Sequence, residues 1–509
     1  MDLKPMMGAE RALVTFALAL GTFMQVLDSS IANVAIPALS GDLGVSPTQG
    51  TWVITSFVVS NAITIPLTGW MARRFGEVRL FTFAILLFTL ASWGCGLSSS
   101  MGMLIVFRVI QGAVAGPMIP LSQSLMLSIY PPEKKNTALA LWSVTVLVAP
   151  ICGPILGGWI TDNISWPWIF YINVPVGLLC TYITWERMRS RETQTFKLPI
   201  DAVGLGLLAI GIGSLQILLD KGKELDWFNS SFIVTLAIVA AVTLSILVVW
   251  ELSEEHPIID LHLFASRNFT AGTLATSAGY MVFFGSVVIL PLWLQTQLGY
   301  TPTWAGLATA PTGILAIALT PYLGRNMHRF DPRWLASISF AVFALCCFWR
   351  TEFNTGVDFA TIAMPQFIQG IAVACFFLPL FGITIAGLPP DRIASAAGLS
   401  NALRVMAGGF GTSLSTTLWE RREAVHHAQL AESITAFSPT VHQSTAQLQT
   451  LGLGTEQNYG FIERAITSQA YMLSTIDVFW VSGWIFLFLI PLVWLARPPF
   501  NHGHVAVAE

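Results

Sequence analysis

Stretches of 17–28 residues with almost no charge recur fourteen times along this 509-residue chain. They are 12–37, 51–70, 80–98, 102–128, 137–161, 167–185, 202–220, 232–250, 269–295, 304–323, 334–350, 360–387, 394–419 and 476–496. A bilayer core is ~30 Å thick and takes about 20 helical residues to cross. No water reaches the backbone there, so each crossing segment must satisfy its own N–H and C=O groups as a helix. The pattern predicts an all-α integral membrane protein with 14 transmembrane helices. Composition agrees: 54% of residues are hydrophobic and 10% charged, against about 25% charged in an average soluble protein. A net charge of −3 and no basic tract leave nucleic acid nothing to bind. The six cysteines lie in apolar runs without metal spacing and read as small buried filler. The first run is too long for a cleavable signal peptide, and many spans follow it.

With the N-terminus placed in the cytoplasm, 17 of the 25 Lys and Arg fall in inner segments and 6 in outer ones; Arg108 and Arg404 lie in spans. This positive-inside bias predicts that both termini are cytoplasmic. An internal repeat is also visible. Ile110-Gln111-Gly112 recurs as Ile368-Gln369-Gly370, and Pro131-Pro132-Glu133-Lys134 as Pro389-Pro390-Asp391-Arg392, both offset by 258 residues. Gly153 and Gly411 match at the same offset. Each copy covers a span, an inner loop and the next span in one orientation, which is a parallel repeat. A six-helix half needs only roughly 200 residues, so spans 202–220 and 232–250 are surplus. The predicted organisation is a six-helix half at 1–190, two inserted helices at 191–265, and a second half at 266–509 with a long outer loop at 420–474.

Asp28 is the one charged residue between Arg11 and Asp42. A carboxylate inside a span marks a functional site by default, because it is costly to bury. Thr15, Thr22, Gln25, Ser29 and Asn33 form a polar stripe beside it at 100° per residue. Such a stripe faces protein or water: either an interhelical hydrogen-bond seam or a cavity lining. Asp28 lies roughly 24 Å above the inner end of span 1, and Arg108 roughly 9 Å below the outer end of span 4, so the two are level. Depth alone does not say whether they touch; packing that joins them would make either a static ion pair or a switchable one that takes up and releases a proton. At the repeat offset, Ser286 stands for Asp28 and Gln366 for Arg108. Charge therefore reads as kept in the first half only, with Arg404 as the exception. Gln111, Gln366 and Arg404 join Gln25, Ser29 and Asn33 as cavity candidates. Span 5 carries Pro150, Gly153, Pro154, Gly157 and Gly158, which predict a bent helix that packs closely on a neighbour.

These motifs carry a family likeness. Gly153, Pro154, Gly157 and Gly158 resemble the antiporter motif of the major facilitator superfamily, with Ala149 in place of its first Gly. The run from Leu27 through Asp28 to Pro37 is similar to the span-1 signature of that superfamily's fourteen-helix drug:proton antiporters. Arg108, Gln111 and Gly112 resemble the span-4 arginine motif. Trp52-Val53-Ile54-Thr55 and Ile172-Asn173-Val174-Pro175 also look like that subfamily. The loop after span 2 keeps Gly69 and Gly76, but Arg73 stands where the pattern has an acid, so either Glu77 substitutes in the cytoplasmic latch or the latch is weaker.

The resemblance implies a major facilitator fold and a proton-driven exporter of lipophilic small molecules, working by alternating access in a bacterial inner membrane. It also implies a periplasmic adaptor and an outer-membrane channel as partners, with the 420–474 loop on the side that meets them. No cofactor is expected beyond the proton gradient, since no G-x-x-x-x-G-K-[ST] motif is present. Two other readings stand beside it. A substrate:proton symporter of the same fold would move substrate with the protons, not against them. A membrane-embedded enzyme or sensor would show a catalytic cluster at an interface, and the sequence shows none.

Overall fold

Each apolar run hydrogen-bonds to itself as a helix, and the breaks fall where the sequence interrupts that ladder. The computed structural model describes residues 6–45, 47–131, 134–196, 199, 201–222, 224–255, 257–389, 392–432, 434 and 455–500. Its rods are α1 (Gly8–Asp42), α2 (Trp52–Thr64 continuing as Thr68–Phe75), α3 (Glu77–Gly96), α4 (Met101–Ala115 and Met118–Ile129), and α5 (Lys135–Asn163). They continue as α6 (Trp168–Tyr171 and Asn173–Met188), α7 (Ala202–Lys221), α8 (Ser231–Ser253), α9 (Arg267–Thr296) and α10 (Pro302–Thr309 and Pro311–Asn326). The last four are α11 (Pro332–Arg350), α12 (Phe359–Ala374 and Phe377–Ile385), α13 (Ile393–Glu432) and α14 (Thr455–Val493). No strand occurs among the described residues. Eleven helices there are long and apolar enough to cross a membrane, and α2, bent by 63° around Pro66, makes twelve.

The long outer loop expected at 420–474 is instead helical at both ends, since α13 reaches Glu432 and α14 starts at Thr455. The amphipathic stretch expected near Ala424–Ser433 is the end of α13 as far as Glu432. Arg422 meets Asp477 at 2.5 Å and His426 meets it at 2.8 Å, so the two helices stay joined along this extension.

The repeat is visible in the packing. A Cβ on Gly112 would lie 2.3 Å from the Phe57 carbonyl oxygen, and one on Gly370 2.5 Å from that of Thr312. Thus α4 packs backbone to backbone on α2 just as α12 packs on α10. Likewise Gly153 abuts Ser30 of α1, and Gly411 abuts Met281 of α9. Close approach of this kind is what small residues permit between helices in a bilayer.

Both described chain ends lie on one face, called here the terminal face. Met6 donates to the Ile129 carbonyl at 3.0 Å, and Asn268 donates to that of Arg497 at 2.9 Å. On this face the two sets of helices meet directly. Gly69 of α2 sits against the Ser395 backbone of α13, and Asn401 donates to Gln123 at 3.0 Å. One apolar cluster joins Leu127 and Leu139 to Leu323, Met327 and Leu378 across the divide. On the far face the clusters stay apart, one around Ile31, Leu104 and Phe170, the other around Trp293, Phe353 and Phe479. The structure is therefore closed at the terminal face.

Helix α7 lies in the groove between α2 and α13. Thr51, Thr55, Val59 and Ile63 line its α2 side at helical spacing: Lys221 donates to Thr51 at 2.7 Å, Thr55 donates to Asp220, and Gly213 rests on Val59 and Ile63. Gly409, Ser413 and Thr417 line its α13 side. Gln216 covers Gly409, Ser413 donates to the Leu219 carbonyl at 2.6 Å, and Trp227 just beyond α7 donates to Thr417 at 3.0 Å.

Candidate functional site

The chain crosses the depth of Asp28 on four packed helices. Asp28 is on α1, Arg108 and Gln111 sit one turn apart on α4, Ser92 and Cys95 are on α3, and Asn173 begins α6 just after its break at Ile172. Arg108 Nη1 donates to Asp28 Oδ2 at 2.6 Å and to Gln111 Oε1 at 2.8 Å, and its Nε donates to the Val53 carbonyl at 3.0 Å. Gln111 Nε2 and Asn173 Nδ2 donate to Asp28 Oδ1 at 3.1 and 2.9 Å. The guanidinium also stands 4.3 Å from the Phe57 ring centre. Asp28, Arg108 and Gln111 are fully buried and Asn173 is 2% exposed. The carboxylate thus has three donors, one of them a cation, which is what a charge needs to survive out of water. The depth arithmetic that set Asp28 level with Arg108 ends in direct contact.

The remaining sequence candidates scatter. A small cavity of about 20 Å³, room for about one water, lies between the two sets of helices. Gln123, Trp142 and Ser143 line it from one side, and Phe377, Asn401 and Arg404 from the other. Of the cavity candidates, Arg404 alone is in that lining; its guanidinium stands 5.1 Å from the Tyr280 ring and 5.5 Å from that of Phe377. Gln111 belongs to the charge knot instead. Gln366 accepts from Thr312 at 3.1 Å and so ties α12 to α10. Ser29 donates to the Val26 carbonyl of its own helix at 2.8 Å, and Gln25 is buried one turn below Asp28. The side chains of Asn33, Pro150 and Pro154 lie outside the described residues. Helix α5 runs unbroken through the glycine motif. Gly157 faces Ile31, where a Cβ would come within 2.7 Å of its side chain, and Gly158 is half-buried.

In the loop motif, Gly69 makes the α2–α13 contact and Gly76 takes φ +89°, a conformation that glycine adopts freely. Arg73 accepts at its carbonyl from Phe196 at 2.8 Å. Glu77 does not take over as a latch across the divide: its Oε2 accepts from Ser124 of α4 at 2.8 Å, on its own side.

Charge is not confined to the first half. Arg350, assigned by its sequence position to an outer segment, is 1% exposed, donates to Gln369 and lies 5.2 Å from the Phe479 ring. Gln369 is the repeat of Gln111, so each half pairs this glutamine with a buried arginine, on α4 in one and α11 in the other. A hydrogen bond to a charged group contributes ~1.5–3 kcal/mol, and more is lost when the charge stays buried alone. Gln369→Leu is therefore expected to lower stability by about 2 kcal/mol, read as a fall in the thermal midpoint of the purified protein; an unchanged midpoint would contradict this. Asn173 was also not singled out from the sequence. Its only signal there is a polar residue in the Ile172-Asn173-Val174-Pro175 run.

Two packed sets of helices, a parallel repeat and a buried charge knot define a membrane transporter of the major facilitator type. The Major Facilitator Superfamily model matches residues 18–412. The multidrug export protein EmrB of Escherichia coli (strain K12) is 57% identical over 501 residues, covering 98% of each chain. The fatty acid resistance protein FarB of Neisseria gonorrhoeae is 52% identical over 503 residues, covering 99% of each. A solved structure of the proton:xylose symporter XylE superposes with a TM-score of 0.60 at 14% identity, over 96% of this chain and 95% of that one, a likeness of fold. The chain belongs to the major facilitator superfamily, on the branch of EmrB and FarB; it is a multi-pass membrane protein and not an enzyme.

Proposed function

We propose that this protein is a proton-driven multidrug efflux antiporter that exports lipophilic toxic compounds by alternating access. The observation that carries the reading is the buried Asp28, held by Arg108, Gln111 and Asn173. A carboxylate whose partners can separate changes its proton affinity as they do, and that change is what couples a proton to a conformational step. The names of EmrB and FarB point to drug and fatty-acid export.

The proposed architecture has fourteen crossings, six plus two inserted plus six, with both termini cytoplasmic. The twelve crossings counted above leave out α5, with 29 residues, and α13, with 40. Each exceeds the about 20 residues that a crossing takes, and adding both gives fourteen. The units are 1–190, 191–265 and 266–509, in a bacterial inner membrane. At 1.5 Å per residue α13 is ~60 Å long, about twice a bilayer core. Its far end and that of α14 therefore stand clear of the membrane, where a periplasmic adaptor leading to an outer-membrane channel would meet them.

Proteoliposomes under an imposed proton gradient test the direction of coupling. Lipophilic dye is expected to move against the protons and to stop moving when the gradient is collapsed. Dye moving with the protons would favour the symporter.

A further inference from the structure

Asn173 is a donor that reaches Asp28 from α6, the helix whose Phe170 ring also stands 5.6 Å from the Arg108 guanidinium. Its Nδ2 donates to Asp28 Oδ1 and to Ser92 Oγ, both at 2.9 Å. The amide cannot be turned the other way. Ser92 spends its hydroxyl proton on the Phe170 carbonyl at 3.0 Å, so toward Asn173 it is an acceptor. Gln111 is fixed by the same logic, since its Oε1 accepts from Arg108 and its Nε2 is left for Asp28. Both amides therefore present N–H to the carboxylate.

We propose that Asn173 is a positioning residue that sets how tightly Asp28 holds its proton, with Ser92 as the place where the amide stays anchored when the carboxyl is protonated. The inference rests on the proton-carrier reading of Asp28. The charged and titratable groups facing Asp28 are Arg108 from α4 and the Cys95 thiol from α3. Among the described residues α2 brings the Val53 carbonyl and the Phe57 ring, both to Arg108, and α5 brings the glycines Gly153 and Gly157 against Ser30 and Ile31. Asn173 is thus a neutral donor within this set.

Hydrogen bonds to an ionised acceptor are roughly twice as strong as neutral ones. The Asn173 bond therefore favours the charged carboxylate and assists release of the proton. When hydronium from solvent protonates the carboxylate, one O–H bond forms on Asp28 and one breaks on the hydronium, which leaves as water. The three donors fill three of the carboxylate's about four acceptor sites, so the proton takes the fourth, on Oδ2, and each donor is left with the weaker bond of a neutral acceptor. Arg108 is held by five groups: Asp28, Gln111, the Val53 carbonyl and the Phe57 and Phe170 rings. Asn173 can slip off Asp28 while keeping Ser92.

The test uses the full-length protein in lipid bilayers, with no drug present. The infrared band of the protonated carboxyl is titrated with pH and assigned to Asp28 by its loss in Asp28→Asn. In Asn173→Ala the midpoint of that band is expected to rise by about one pH unit, a tenfold tighter proton. Asn173→Ser, which keeps a hydroxyl beside Ser92 but does not reach Asp28, is expected to shift it the same way. It serves also if the alanine variant does not fold. A band that depends on Asp28 but titrates at the wild-type pH in both variants overturns this inference alone. A band that persists in Asp28→Asn overturns the proton-carrier reading and this inference with it.

Discussion

Asp28→Asn is expected to abolish gradient-driven efflux while leaving a folded protein that still binds drug. Asparagine has the shape of aspartate and its amide oxygen can still accept from Arg108, so it fills the same space between the four helices, while its NH2 replaces the oxygen that accepts from Gln111 and Asn173. What is removed is the ability to carry a proton. Asp28→Ala makes the useful contrast. Both variants leave Arg108 buried without its counter-ion, and breaking a buried pair from one side costs ~3–5 kcal/mol; alanine also removes the acceptor that asparagine keeps for Arg108. Both variants should therefore lose transport, and the alanine variant should lose more stability than the asparagine one. Flux in proteoliposomes and a thermal unfolding midpoint, read on the same preparations, separate the two effects. Gradient-driven efflux at the wild-type rate in Asp28→Asn would remove Asp28 from the coupling mechanism.

The second large effect is expected at Gly411. A Cβ there would stand 1.9 Å from the Met281 carbonyl oxygen and 2.7 Å from its carbon. Those are backbone atoms of α9 and cannot rotate out of the way, so α13 and α9 must move apart. Overpacking a close contact costs ~1–3 kcal/mol, and more when backbone has to yield. Gly411→Ala is expected at or above the top of that range, with a clear fall in folded yield. Gly409, half a turn away on the same helix, is the internal control. Its nearest neighbour would be Gln216 Nε2 at 3.5 Å, an ordinary contact. Gly409→Ala is expected to be neutral or stabilising by up to ~1 kcal/mol, the usual gain on replacing glycine within a helix. Equal thermal midpoints for the two variants would contradict the packing described for α13.

Much of this was legible before any coordinates. A carboxylate in an apolar run is conspicuous because so little else there is polar, and rise per residue is enough to set Arg108 at its level. The repeat was legible because Gln111-Gly112 and Gln369-Gly370 perform the same packing twice. Other features had no comparable signal. The ends of α13 and α14 are helical but polar, and a search for apolar runs cannot see a polar helix. Arg350 ends an apolar run, where an arginine ordinarily reaches outward to water; here it turns inward to Gln369 instead. Asn173 stands near the start of a span, where asparagine is ordinary, and only the three-dimensional arrangement brings it to Asp28.

The place of α7 bears on how the two halves can move. On the terminal face α2 and α13 touch each other, Gly69 against Ser395. Toward the far face they are joined through α7, by Thr51 and Thr55 on one side and Ser413 and Thr417 on the other. Contact is therefore direct at one end of the lever and indirect at the other. Any movement of α2 relative to α13 at that end must therefore break or carry with it the bonds that α7 makes to each of them.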